Sequence, residues 1–195
     1  CFEWGVIIKK IAIIGANEQQ NPLIVKAKEL GYETHTFSWQ SGSEVGEKTS
    51  DYFYPISVSN KEEILNKCRE VGIDGIVSIG SDIASLTVAY VAENLGLKGN
   101  GYDSVKLATN KIQTRNLFKN KLLPQPKFVE VGDVIPFDKL KKLSYPIIVK
   151  PVDRSGGRGI SIIHNEGEFF RALDKARETS FERHAIVEEY IRGQL

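Results

Sequence analysis

Short apolar runs and helical stripes alternate through the first half of the chain. Lys10–Ile14 (KIAII) is a continuous apolar run stopped by Gly15, the pattern of a strand buried on both faces. LIVKAKEL follows Asn21-Pro22 and closes at Gly31, a helix with a glycine stop. Glu33–Ser38 (ETHTFS) alternates with period two, and Asp51–Ile56 (DYFYPI) suits an edge strand because Pro55 cannot donate to a ladder. Asn60-Lys61-Glu62-Glu63 has the form of a capping box and predicts a helix that ends near Gly72. Gly75–Ile79 (GIVSI) predicts another buried strand. Ser81 or Asp82 then caps a helix with Ile83, Leu86, Tyr90, Val91 and Leu95 at helical spacing. The order β-α-β-β-α-β-α with short connections predicts an α/β fold with a mostly parallel, doubly wound sheet. Such sheets receive ligands outside the carboxyl ends of their strands. Gly15–Asn17 and Gly80–Asp82 fall at two such ends, as candidate substrate contacts or equally as turn glycines and a helix cap.

The pattern changes at LKGNGYD. Tyr102–Asn120 reads as one or two helices, and Pro124 and Pro126 punctuate their exit. From Lys127 the order is strand (KFVEV), short helix (FDKLKKL), strand (PIIVK), glycine loop, strand (GISII), helix (EGEFFRALDKAR) and strand (AIVEEY). These are meander-like signals of an α+β unit rather than a continued parallel series. The expected organisation is residues 1–107 as a first domain, 108–126 as a connecting helix and linker, and 127–195 as a small second lobe. No internal repeat or low-complexity segment is visible.

Composition removes several classes. A net charge of +1 gives no global field to draw in nucleic acid or an anionic membrane. No apolar run approaches the eighteen or so residues of a membrane span, and Lys9 and Lys10 break CFEWGVIIKKIAIIG as a signal peptide. Of two cysteines, Cys1 and Cys68, the second shares a helical face with Ile64, Leu65 and Val71 and reads as a core residue. A disulfide framework is therefore not expected, and a cytoplasmic setting is. Methionine is absent throughout, from which the sequence is expected to be part of a longer product. There is no G-x-x-x-x-G-K-[ST], and GANEQQN replaces G-x-G-x-x-G after the first strand. An NAD-type site is the weakest reading for that reason. His35, His164 and His184 are scattered without metal-ligand spacing, and no nucleophile–base pair stands out. No catalytic residue and no metal ligand are expected within the chain.

The candidate chemistry lies in Tyr145–Ile160, YPIIVKPVDRSGGRGI. An apolar strand delivers Lys150 to a Gly-Gly turn that opens into a second strand. An ammonium offers a point charge to phosphate, and glycines let backbone N–H groups approach its oxygens without Cβ interference. Taken alone, the segment serves equally as a phosphate cradle or an ordinary hairpin. Arg154 and Arg158 could add bidentate donors or simply be solvated.

Three features follow in order: ATNKIQTRNLF at Ala108–Phe118 with Lys111, then Lys150 and its loop, then IVEEYIRG at Ile186–Gly193. This set resembles the ATP-grasp superfamily, and within it the carboxylate–amine ligases and the phosphorylating halves of carbamoyl-phosphate synthase large subunits. The resemblance covers nearly the whole chain. It implies a Rossmann-like pre-ATP-grasp domain and then the smaller α+β ATP-grasp lobe, with the larger lobe lying past Leu195. Asn110 stands where the family commonly has Asp. The resemblance implies that Lys150 contacts the α- and β-phosphates of ATP and that Lys111 reaches the phosphates from the facing side. Ser155, Gly156 and Gly157, with Arg158 beside them, look like the loop that closes over the β- and γ-phosphates. Glu188, Glu189, Tyr190 and Ile191 look like the hinge stretch beside adenine, where the main chain binds the base in an apolar slot. For Glu188 and Glu189 a pair of solvated strand-end carboxylates is the other reading.

The resemblance further implies Mg²⁺ with ATP, its ligands expected beyond Leu195. Gln194-Leu195 replaces the acidic ribose contact of many relatives. The implied activity is phosphorylation of a carboxylate, whose acyl phosphate an amine or similar nucleophile attacks. The implied partners are small-molecule substrates without nucleic acid or membrane, and a homodimer is left open. A non-catalytic nucleotide-binding or structural module, or a bicarbonate-using carboxylase, are the alternatives. Lys150→Ala is expected to abolish ATP-dependent turnover with little loss of stability.

Overall fold

A computed structural model describes residues 8–40, 42 and 44–193. The leading CFEWGVI stretch, which includes Cys1, and the Gln194-Leu195 ribose position lie outside the described residues. The chain forms two compact units, Cys1–Val105 and Lys106–Leu195.

In unit 1 the elements are β1 (Lys10–Ile14), α1 (Asn21–Glu29), β2 (Glu33–Phe37), α2 (Val45–Thr49), β3 (Tyr52–Tyr54), α3 (Lys61–Val71), β4 (Gly75–Val77) and α4 (Asp82–Leu95). The strands are parallel in the order β3-β2-β1-β4, with β3 at an edge as Pro55 requires. The continuous apolar run of β1 has its reason in burial: Ala12, Ile13 and Ile14 are all fully enclosed. Ser81 caps α4 by accepting the Ala84 N–H, and Gly72 and Gly96 end α3 and α4 in the left-handed conformation. Asn60 caps α3, but only half of a capping box forms. The Glu63 carboxylate accepts from the Asn60 side-chain amide, while the Asn60 backbone N–H donates to Ser57 O. Cys68 is enclosed in the core, and burial pushes its thiol up to about 12.

Three features of unit 1 depart from the periodicity. The polar positions of β2 are not wet, since Thr34, His35 and Thr36 are buried like Phe37. The side chains of Thr34 and His35 find partners instead, whereas the Thr36 hydroxyl is buried without one. Thr34 donates its N–H and hydroxyl to the Asp51 carboxylate, and His35 lies between Glu33 and the Tyr54 hydroxyl. Helix α2 was not expected, because five residues are too short to show a stripe. It is anchored by Gly46, whose N–H donates to Ala16 O and whose missing Cβ would stand 2.6 Å from Ile24 Cδ1. In α4 the deepest positions are the small residues Ala84, Val91 and Ala92, while Ile83, Tyr90 and Leu95 are only half-buried around them. At the strand ends, Gln20 donates to Ile79 O, Asn17 accepts the Gln19 N–H and Ser81 is a cap. Local turn structure thus accounts for much of Gly15–Asn17 and Gly80–Asp82.

Helix α5 (Tyr102–Thr109) stands where the units divide. Unit 2 continues with α6 (Lys111–Asn120), β5 (Phe128–Val131), α7 (Phe137–Leu140), β6 (Ile147–Pro151), β7 (Ser161–Ile163), a 3-10 turn (Glu166–Glu168), α8 (Phe169–Thr179) and β8 (Ala185–Glu189). Its sheet is antiparallel in the order β5-β8-β6-β7. It is therefore not a meander, because the last strand inserts between β5 and β6.

Side chains of a strand alternate between faces, and the two faces of this sheet differ. One carries Val129, Val131, Ile147, Val149, Ile163, Ala185 and Val187 and packs on Phe169, Ala172, Leu173 and Ala176 of α8. The other carries Phe128, Ile148, Lys150, Ile186 and Glu188, paired across the strands. Ile112 of α6 packs there with Val152, Ile186 and Phe128. One polar-bearing sheet face beside a helix start is what positions the site.

Candidate functional site

The start of α6 is fixed by Asn110. Its side-chain carbonyl accepts the N–H groups of Ile112 and Gln113 at 3.0 and 3.1 Å, while its amide donates to both oxygens of Glu182 at 3.2 Å. Aspartate would cap the helix as well but would face Glu182 as a like charge. Asn110→Asp is therefore expected to destabilise unit 2 by about 1–2 kcal/mol in urea denaturation, with recovery in Asn110→Asp/Glu182→Gln. The next residue, Lys111, joins the helix start to the loop after β6. Its N–H donates to Val152 O at 2.8 Å and its Nζ to Arg154 O at 2.6 Å.

Lys150 leaves the end of β6 on the α6 side of the sheet. Its Nζ lies 2.5 Å from Glu188 Oε2. Arg115, one turn beyond Lys111 on the same helix face, approaches the other oxygen, with Nε 2.6 Å from Oε1 and Nη2 3.4 Å from Oε2. Glu188 is only 2% exposed, so the alternative reading of a solvated strand-end carboxylate does not hold for it. Antiparallel pairing places Glu188 opposite Ile148 and Phe128, on the face that carries Lys150, and α6 covers it there. Burial pushes its carboxyl up, but hydrogen bonds from Arg115 and Lys150, and their charges, outweigh that and hold it below the ordinary range. Arg115 was not singled out in the sequence. Its spacing of four from Lys111 was the available signal.

Glu189 faces the opposite way. It pairs with Ile147 and takes Lys127 as its partner, accepting the backbone N–H at 2.9 Å and lying 3.0 Å from Nζ. Those two hydrogen bonds lower its carboxyl, the backbone one most. Tyr190 and Ile191 follow at the strand exit, with 38% and 66% of their surfaces exposed. The structure thus brings Lys111, Lys150 and Glu188 to one side of the unit and leaves Glu189 on the other.

The loop between β6 and β7 is braced at its ends and open at its tip. Asp153 accepts the N–H groups of Phe181 and Glu182. Gly159 is enclosed, and a Cβ there would stand 2.8 Å from Thr179. Between these anchors Gly156 and Gly157 are exposed with φ of 68° and 71°, and nothing crowds the faces where their Cβ atoms would be. Both need glycine for the turn, and both leave the backbone accessible. Arg158 Nε donates to Ser155 O at 3.1 Å, so this arginine shapes the turn. The Arg154 guanidinium lies over the Phe181 ring at 4.1 Å, with its Nε buried and unpartnered.

A concavity of about 770 Å³ in the same unit is lined by Ser161, Glu168, Arg171 and Lys175 among others, and includes none of these residues. Its lining brings no glycine loop and no deeply buried ion cluster, so the Lys150 face is the stronger candidate. Among the described residues no group of three His, Cys, Asp or Glu could hold a metal ion. Glu188 is already shared between two cations, so these residues do not make a magnesium site. An open face with cationic donors, exposed glycine amides and one unpartnered buried arginine nitrogen does fit a polyphosphate.

The chain is similar to ATP-grasp ligases and shares their fold. Residues 117–194 match the family model described as D-ala D-ala ligase C-terminus. Carbamoyl phosphate synthase large chain from Pyrococcus furiosus is 26% identical over 98% of this chain and 17% of its own length. D-alanine–D-alanine ligase from Bacillus anthracis is 23% identical over 72% of this chain and 47% of its own. In fold, N5-carboxyaminoimidazole synthetase from Staphylococcus aureus, solved with ADP, superposes with a TM-score of 0.75 at 20% identity, covering 95% of this chain and 48% of that one. The chain spans less than half the length of each of these proteins.

Proposed function

We propose that unit 2 forms the phosphate-gripping wall of an ATP site in a ligase that activates a carboxylate as its acyl phosphate for attack by an amine or similar nucleophile. The observation that carries this reading is Lys150. It stands at a strand end beside an exposed glycine turn, on the face where Lys111 binds the same loop. In this reading Lys150 and Lys111 neutralise the nucleotide's charge, and the amides near Ser155, Gly156 and Gly157 close on the terminal phosphates. Arg154 and Arg158 flank that turn. Glu188 orients Lys150, and the Glu189, Tyr190 and Ile191 main chain borders the adenine. Catalysis of this kind is mostly positioning and charge neutralisation, which suits ammonium groups and a loop of amides.

The names of the relatives support ATP use and small-molecule substrates. The finer assignment to carbamoyl-phosphate-synthase-like chemistry is a proposal, as are a magnesium requirement, a cytoplasmic setting and a homodimer. Bicarbonate is a second carboxylate of the same reaction class. Among the described residues no helix is long and apolar enough to cross a membrane.

The test is phosphate release from ATP by the full-length gene product, screened over amino acids, small carboxylic acids and bicarbonate. Release that depends on one carboxylate and one nucleophile is the expected result. Nucleotide binding without carboxylate-dependent release would favour a non-catalytic module, and binding of NADH in place of ATP would overturn both.

A further inference from the structure

Glu188 is nearly sealed from solvent, yet two cations reach it. A single partner suffices to balance a carboxylate, so the second needs a reason. If Lys150 alone met Glu188, the pair would be neutral. An incoming phosphate would then have to take the ammonium away and strand a buried carboxylate, which costs several kcal/mol. Arg115 removes that obstacle. It approaches both oxygens of Glu188 from α6, so Glu188 keeps a partner when Nζ turns away. The three groups together carry one net positive charge, left over for an anion. The side chains of Lys150 and Arg115 retain 16% and 22% exposure, so both are reachable from the open face.

We propose that Arg115 is a positioning residue of the polyphosphate site, which holds Glu188 so that Lys150 can be handed from that carboxylate to a nucleotide phosphate. The inference rests on the phosphate reading of Lys150. The rival role for Arg115 is purely structural, a clamp between α6 and β8, and the two predict different results when Glu188 is also neutralised.

ADP titration followed by NMR, at concentrations into the millimolar range, measures this on the chain itself. Arg115→Met is expected to weaken ADP binding by about tenfold or more, and Arg115→Lys to keep most of it. Arg115→Met/Glu188→Gln is expected to recover affinity over Arg115→Met, because Lys150 no longer faces an unshared carboxylate. A structural clamp would gain nothing from that second change, so failure to recover overturns the proposal. So does wild-type affinity in Arg115→Met. Should Arg115→Met not fold, the comparison of Arg115→Gln with Arg115→Gln/Glu188→Gln decides in the same way. Lys150→Met separates the two levels of the argument. If it leaves ADP binding unchanged, the phosphate reading itself falls. If it abolishes binding while Arg115→Met does not weaken it, only the role of Arg115 falls.

Discussion

Lys150→Met is expected to lower ADP affinity by tenfold to about a hundredfold and to abolish ATP-dependent turnover of the full-length product. The range follows from a charge-assisted hydrogen bond, worth about 1.5–3 kcal/mol. Turnover suffers more than ground-state binding, because charge on the transferring phosphoryl group must be neutralised as it moves. The structure amends the expected cost in stability. Removing Lys150 leaves Glu188 buried with Arg115 as its partner, so a loss of about 1–2 kcal/mol replaces the small change anticipated from the sequence. Urea denaturation at neutral pH measures it. Undiminished turnover in a folded Lys150→Met protein would contradict the assignment.

Glu188→Ala should be the more damaging change to the fold. It leaves Lys150 and Arg115 as neighbouring cations beside a cavity in the sheet face, and breaking buried pairs in this way costs about 3–5 kcal/mol. Partial exposure of both cations puts the expectation near about 3 kcal/mol. The acid dependence has a definite sign. The folded-state carboxyl is held below its ordinary value of 4.5, so its contribution is fully present above that pH. It is lost as pH falls through the lowered folded-state value. The stability difference between the wild type and Glu188→Gln should therefore be constant near neutrality and shrink in the acid range. A difference that grows on acidification would mean that Glu188 is not held as an anion.

What could be read in advance follows the range of the interactions concerned. β1 and α3 were legible because an apolar run and a cap are local signals. The burial of Thr34 and His35 was not, since it depends on Asp51 and Tyr54 from elsewhere in the unit. The insertion of β8 into the middle of its sheet was equally hidden, because strand order is settled by packing rather than by any segment's own pattern. The site divides in the same way. Lys111, Lys150 and the glycine turn announced themselves by residue type and order. Glu188 looked like its neighbour Glu189 until alternation placed one on each face. Its partner Arg115 lies 73 residues away in sequence. The role of Asn110 became visible only when Glu182 was found against its amide.

Amide and side-chain NMR of the labelled chain during titration with ADP measures the central claim most directly. The account predicts shifts concentrated at Lys111, the Arg115 guanidinium, Lys150, residues 154–158 and residues 188–191, all lost in Lys150→Met. Shifts confined to Gly15–Asn17 and Gly80–Asp82, or an unchanged Lys150 at saturating ADP, would contradict it.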